Sequence, residues 1–276
     1  MSPMTRRPAA SGTFYPADSA RLRRDVETYL GTPSPARRRV PAVLAPHAGY
    51  IYSGSTAGLV FARIDVPATC IVLAPNHTGL WSAPRGGSML LSVAYATPLG
   101  DVATDRDLGE RLVEAASPLL ADDPVAHRRE HAAEVILPFL QVRNPAVRVV
   151  PIVLAWSRWE EARALAGAID AAVGTRADVL VIASSDMNHY ESAAVTREKD
   201  EAALRHVEAL DGAGLLATTT ERGISMCGRI PAACACEYAR RRGGARGEVI
   251  ARSHSGLVNG DHDRVVGYAG ALLGAA

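Results

Sequence analysis

The chain has 276 residues, 48% of them hydrophobic and 21% charged, which allows a large buried core and argues against disorder. Thirty basic residues face 29 acidic ones, for a net charge of +1. That balance excludes a generic polyanion binder, so no nucleic-acid partner is expected. No apolar run reaches the roughly 18 residues of a membrane span, and Met1 to Pro16 carries Arg6 and Arg7 with no apolar segment behind them. A cytoplasmic location without a membrane partner is therefore expected.

In chain order, the pattern predicts a helix over residues 20–30 behind the cap candidate Asp18, a strand over 40–45, a helix over 53–64 and a strand over 69–74. A helix over 105–116, capped by Asp105, and one over 132–142 follow. Next come a strand over 147–153, a helix over 158–173 capped by Ser157, a strand over 179–183, a helix over 196–210 and a strand over 265–271. The first four strands are nearly all apolar, as buried parallel strands are. Strand alternating with helix implies an α/β fold with a mainly parallel sheet and helices on both faces. No linker or repeat interrupts it, so one domain over 1–276 is expected. Four cysteines without a secretion signal do not make a disulfide framework. Cys70 sits in an apolar run. Cys234 and Cys236 lie in a helix starting near Pro231 and point to different faces.

Open α/β sheets bind ligands beyond the C-terminal ends of their strands. Here three such ends carry histidines: strand 40–45 runs into His47, strand 69–74 into His77, and strand 179–183 into Asp186 and His189. Buried strands should deliver all three histidines to one edge, although a single strand-end histidine is usually a plain loop residue. Cys227 precedes the helix near Pro231. A helix N-terminus lowers a thiol's pKa and suits it to ligation; a small buried hydrophobe is the alternative.

His127 and His131 stand four apart and would share a helix face, in a string that satisfies H-x-x-E-H. A peptidase needs a further acidic ligand that nothing singles out, so the stronger use places His131 and Glu134 in the same pocket. Asp186 and His189 read as a base with its orienting partner, or as ligands. His47, His77 and Asp186 would make a two-histidine, one-carboxylate site suited to Fe(II), whereas Cys227 in place of Asp186 admits softer metals such as copper. Asp186 as a plain cap is the bland alternative. No phosphate loop or nucleophile elbow is present.

Taken together these segments resemble the Memo family, known in prokaryotes as AmmeMemoRadiSam system protein B. The resemblance runs from Ala10-Ser11-Gly12-Thr13-Phe14-Tyr15-Pro16 through Pro46-His47-Ala48-Gly49-Tyr50 and Pro75-Asn76-His77-Thr78-Gly79. It continues through Glu130-His131-Ala132-Ala133-Glu134, Ser184-Ser185-Asp186-Met187-Asn188-His189-Tyr190 and Met226-Cys227-Gly228, and closes at Val265-Val266-Gly267-Tyr268. It implies a fold like that of class III extradiol dioxygenases and a mononuclear Fe(II) or Cu site on His47, His77 and Cys227. Asp186 and His189 would lie beside the metal, with Phe14 and Tyr52 lining the pocket. It also implies a radical-SAM protein and an AMMECR-type protein as partner chains. Ring-cleaving enzymes use a carboxylate where Cys227 stands, which counts against ring cleavage. The leading expectation is a metal-dependent oxidoreductase acting on a small molecule or peptide, with His131, Asp186 and His189 handling protons. The alternatives are a non-enzymatic adaptor whose pocket binds a peptide or partner, and an extradiol dioxygenase.

Overall fold

The structure, a computed structural model, describes residues 4–32 and 37–275. Its α/β fold is built on a nine-stranded sheet. Four parallel strands form the centre, in the spatial order Ala42–Ala45, Val179–Ser184, Thr69–Pro75, Arg148–Leu154. The margins are antiparallel. Val265–Ala275 runs against Ala42–Ala45, and Arg246–His254 and His189–Glu191 pair with it. On the other side Gly87–Met89 runs against Arg148–Leu154 and carries Leu120–Asp122. The sheet is thus mixed, with its parallel part in the middle.

Every residue of the strands Ala42–Ala45, Thr69–Pro75 and Val179–Ser184 is buried, because helices cover both faces. Successive side chains alternate between two cores. Ala42 and Leu44 join Leu165, Ile169 and Tyr238 of the helices Trp159–Val173 and Arg229–Arg241. Val43 and Ala45 join Val26, Phe61 and Phe139 of the helices Ser19–Leu30, Tyr50–Ala62 and Leu137–Arg143. Helix Ser19–Leu30 lies so close to Tyr50–Ala62 that a Cβ on Gly58 would sit 2.2 Å from the Tyr29 carbonyl oxygen. Only glycine allows that approach.

Asp18 and Asp105 cap their helices, accepting from the Arg21 and Leu108 N–H groups at 2.8 and 3.2 Å. Ser157 does not. The helix begins one residue later, and Glu161 accepts the Arg158 N–H at 3.3 Å. The helix expected over 132–142 is shorter, a 3₁₀ turn Glu134–Ile136 followed by Leu137–Arg143. Its first turn is lost because the Glu130 carboxylate captures the His131 and Ala132 amides, both at 2.9 Å.

A second, three-stranded sheet pairs Met4–Arg6 with Val93–Thr97, which carries Gly100–Val102. It anchors the N-terminal segment. Arg6 is buried there, donating to the His127 and Glu130 carbonyls at 2.7 and 2.6 Å and pairing with Glu134. Glu134 also accepts from Ala9 N–H, Ala10 N–H and the Tyr15 hydroxyl. These contacts take up both of its oxygens, so Glu134 secures the N-terminal segment where the sequence suggested a pocket wall.

Candidate metal centre

The parallel centre of the sheet decides which loops meet. Ala45 pairs with Ser184 and Leu73 with Ala183, so the loops after these three strands leave the same edge. His47 and His77 arrive on two of them, their rings 5.1 Å apart. His131 joins them from the segment before Glu134–Ile136, its ring 4.6 Å from His77 and 5.5 Å from His47. One ligating atom from each lies within 4.8 Å of the others. His189, expected as the third strand-end histidine here, is not one of these three, although its charge acts on His47 and Asp186. Its Nδ1 donates to the Ser225 carbonyl at 2.9 Å, and its N–H bonds the Ser225 hydroxyl at 2.8 Å.

Hydrogen bonds fix the tautomers of two rings. The Ser184 hydroxyl donates to the Ala132 carbonyl at 2.7 Å. It must therefore accept from His47 Nδ1–H at 2.8 Å, which leaves a lone pair on His47 Nε2. Glu130 accepts from His77 Nδ1–H at 2.9 Å, freeing Nε2 in the same way. The same carboxylate takes the His77 N–H at 2.6 Å. Burial pushes Glu130 up, but the His77 hydrogen bond and charge, the Ala132 amide and His131 outweigh it and hold the carboxyl at about 2. Burial, reinforced by His77, lowers His47 to about 3; burial and His47 lower His131 to about 4. At neutral pH this leaves His47 and His131 uncharged on the pocket, with the Glu130 carboxylate behind the His77 ring, the arrangement that supports metal-bound histidine. The donor set fits one ion. Neither Glu130 nor Ser184 was singled out from sequence as a site residue.

Cys227 approaches His47, with Sγ 3.3 Å from Nε2. It also accepts the Asp186 N–H at 3.2 Å. The sequence suggested a thiol acidified by the helix that begins at Arg229. The structure shows the opposite: burial, and then the Asp186 charge, push the thiol up, and the Asp186, Ser185 and Gly228 hydrogen bonds do not compensate. A neutral thiol beside an imidazole lone pair shares its proton with it, and a cation would displace that proton. Gly228 makes this approach possible. A Cβ there would lie 2.3 Å from the Ser184 carbonyl and 2.5 Å from Ser185 Cβ. Gly228→Ala should therefore move Cys227 off His47 and destabilise the fold by about 1–3 kcal/mol through overpacking. Urea unfolding checks the second effect, and the reactivity of Cys227 toward a thiol reagent checks the first.

Asp186 Oδ1 accepts the His47 and Ala48 N–H groups at 2.9 and 3.2 Å, and burial raises its pKa above the usual carboxylate range. Phe14 lies against His131, ring centroids 4.4 Å apart, with its carbonyl accepting the Tyr50 N–H. Tyr52 is half-buried in the first turn of Tyr50–Ala62. His127 is not part of the centre. The helix Pro124–His127 ends at it, so it shares no helix face with His131. Its Nε2–H donates to the Ser88 carbonyl at 3.1 Å and Nδ1 accepts the Tyr95 hydroxyl at 2.6 Å. The two histidines of the H-x-x-E-H string therefore do not act as a peptidase pair.

The chain is 37% identical to a MEMO1 family protein of Aquifex aeolicus, over 97% of this chain and 98% of that one. It is 38% identical to a MEMO1 family protein of Methanopyrus kandleri, over 96% and 98%. A solved structure, that of uncharacterized protein JW3007 from Escherichia coli K12, superposes with a TM-score of 0.47 at 14% identity, covering 83% of this chain and 99% of that one. The family described as Memo-like protein matches residues 6–272, and the chain belongs to that family.

Proposed function

We propose that this protein is a mononuclear metal protein, with His47, His77 and His131 as nitrogen ligands and Cys227 as a sulfur donor beside His47. The observation that carries the reading is the group of three ligating atoms within 4.8 Å of one another, two of them on rings, His47 and His131, that burial keeps neutral. A sulfur donor among imidazoles suits Fe(II) or Cu, and such an ion would supply one-electron and oxygen chemistry. The reaction class we infer is oxidoreduction of a small molecule or peptide.

The chain's own groups have separable tasks in this reading. Ser184 and Glu130 orient His47 and His77. Asp186, with a raised pKa and one oxygen fixed by two amides, holds or releases a proton at its Oδ2. Phe14 covers His131 and excludes water from that side. Extradiol ring cleavage is disfavoured because the clustered ligands include no carboxylate. A cytoplasmic setting belongs to the same proposal, as do a radical-SAM chain and an AMMECR-type chain as partners, which rest on the family resemblance alone. No helix among the described residues is long and apolar enough to cross a membrane.

Mass spectrometry of protein purified without oxygen tests the reading. Near-stoichiometric iron or copper is expected in the wild type, with almost none in His47→Ala or His77→Ala. His131→Ala and Cys227→Ala should weaken retention during dialysis. A folded, metal-free wild type that takes up neither Fe(II) nor Cu would sink the proposal.

A further inference from the structure

A cavity of about 410 Å³ is walled by the helix Ala193–Glu208, the strand Arg246–His254 and Tyr268. None of His47, His77, His131 and Cys227 lines it. Its volume is that of a small-molecule site. Leu204, Leu257 and Tyr268 supply apolar wall, and Leu257 is exposed.

Two groups in the lining are left incomplete by the fold: His254, whose buried Nδ1 has no hydrogen-bond partner among the described residues, and Asp200. Asp200 lines the cavity yet is only 9% exposed. Its Oδ1 accepts the Asn188 N–H at 2.9 Å, and among the described residues nothing donates to Oδ2. Burial pushes its pKa up to about 7, since Arg252 acts on it only from a distance. A buried carboxyl without a paired cation is a costly arrangement that a cationic donor would relieve. Farther out the lining holds Arg197, Arg252 and Glu201, the last two loosely paired at 3.8 Å. Two cations and two acids thus face one space, which complements a ligand bearing both signs.

We propose that this cavity binds a small zwitterion of the α-amino acid class with an apolar side chain, its ammonium on Asp200 and its carboxylate toward Arg197 and Arg252. The apolar part lies against Leu204, Leu257 and Tyr268. The site is independent of the metal, although Asp200 touches the metal-side loop through Asn188, whose Oδ1 accepts from Ser225.

Isothermal titration with three matched probes tests this: L-leucine, 3-methylbutylamine (which lacks the carboxylate) and 4-methylpentanoate (which lacks the amine). Leucine should bind at a single site, the amine about tenfold more weakly, and the acid not measurably. Asp200→Asn keeps the shape and the bond from Asn188, and should weaken leucine by roughly 30-fold or more. Ala194→Trp, on the exposed wall, should block binding without touching the core. The proposal is overturned if folded wild type binds no leucine at ~10 mM, or if the acid binds and the amine does not. Undiminished leucine affinity in either variant overturns it as well.

Discussion

Glu130→Ala is expected to destabilise the fold by about 3–5 kcal/mol and to weaken metal binding by roughly 10–100-fold. The carboxylate is fully buried and accepts four N–H donors: His77 N, His77 Nδ1, His131 N and Ala132 N. Alanine leaves all four without their partner, and each orphan costs about 1–3 kcal/mol before relaxation. The sum is not additive, because water enters the void, hence the smaller total. The same change frees the His77 ring to rotate and to move its proton to Nε2, which removes the lone pair a metal needs. Glu130→Gln should fall between, since its amide oxygen replaces some of the acceptors and its NH₂ opposes the rest. The folded pKa of about 2 lies below the ordinary carboxylate value, so the ionised form is the stabilising one. That contribution is complete above about pH 4.5 and is lost as pH falls through about 2. Urea unfolding at pH 7 therefore reads it in full, and a competition titration with a metal chelator reads the second effect. A Glu130→Ala protein of wild-type stability and affinity would mean that this carboxylate organises nothing.

The sequence carried some of this architecture plainly and hid the rest for physical reasons. The four central strands are long apolar runs, and their order along the chain placed His47 and His77 at one edge. His131 was placed in the same pocket too, while the helix face it was expected to share with His127 does not exist. What places it is Glu130, which bends the chain before Glu134–Ile136 and stands behind His77 53 residues away. Ser184 reaches His47 across 137 residues. Such partnerships leave no periodic trace. Gly87–Met89, Leu120–Asp122 and His189–Glu191 escaped for a different reason: three residues cannot establish an alternation. Glu134 read as a pocket residue beside His131, yet the packing of Arg6 and Tyr15 decides where its carboxylate goes.

The second large effect is acid sensitivity of the metal-free protein. His47, His127 and His131 ordinarily titrate near 6.5, and in the fold burial above all holds them at about 3, 4 and 4. A depressed folded pKa means that the unfolded chain binds more protons between those values and 6.5. Stability is therefore fully present above about pH 6.5 and is lost progressively as pH falls through about 4, at up to ~1.4 kcal/mol per pH unit for each histidine. The loss between pH 7 and pH 5 should reach several kcal/mol, read as a falling urea midpoint after chelator treatment. His127 isolates one share of it. Its neutral tautomer is locked between Tyr95 and the Ser88 carbonyl, away from the other three rings. His127→Gln keeps a donor and an acceptor but cannot titrate. That variant should be less stable at pH 7 yet lose stability less steeply below pH 6.5, by about 1.4 kcal/mol per pH unit. Bound Fe(II) or Cu should deepen the acid dependence, because protons and the ion compete for the same lone pairs on His47 and His131. A midpoint that does not move between pH 7 and pH 5 would show that these imidazoles are not held neutral by the fold, and the case for ready metal-binding nitrogens on His47 and His131 would fall with it.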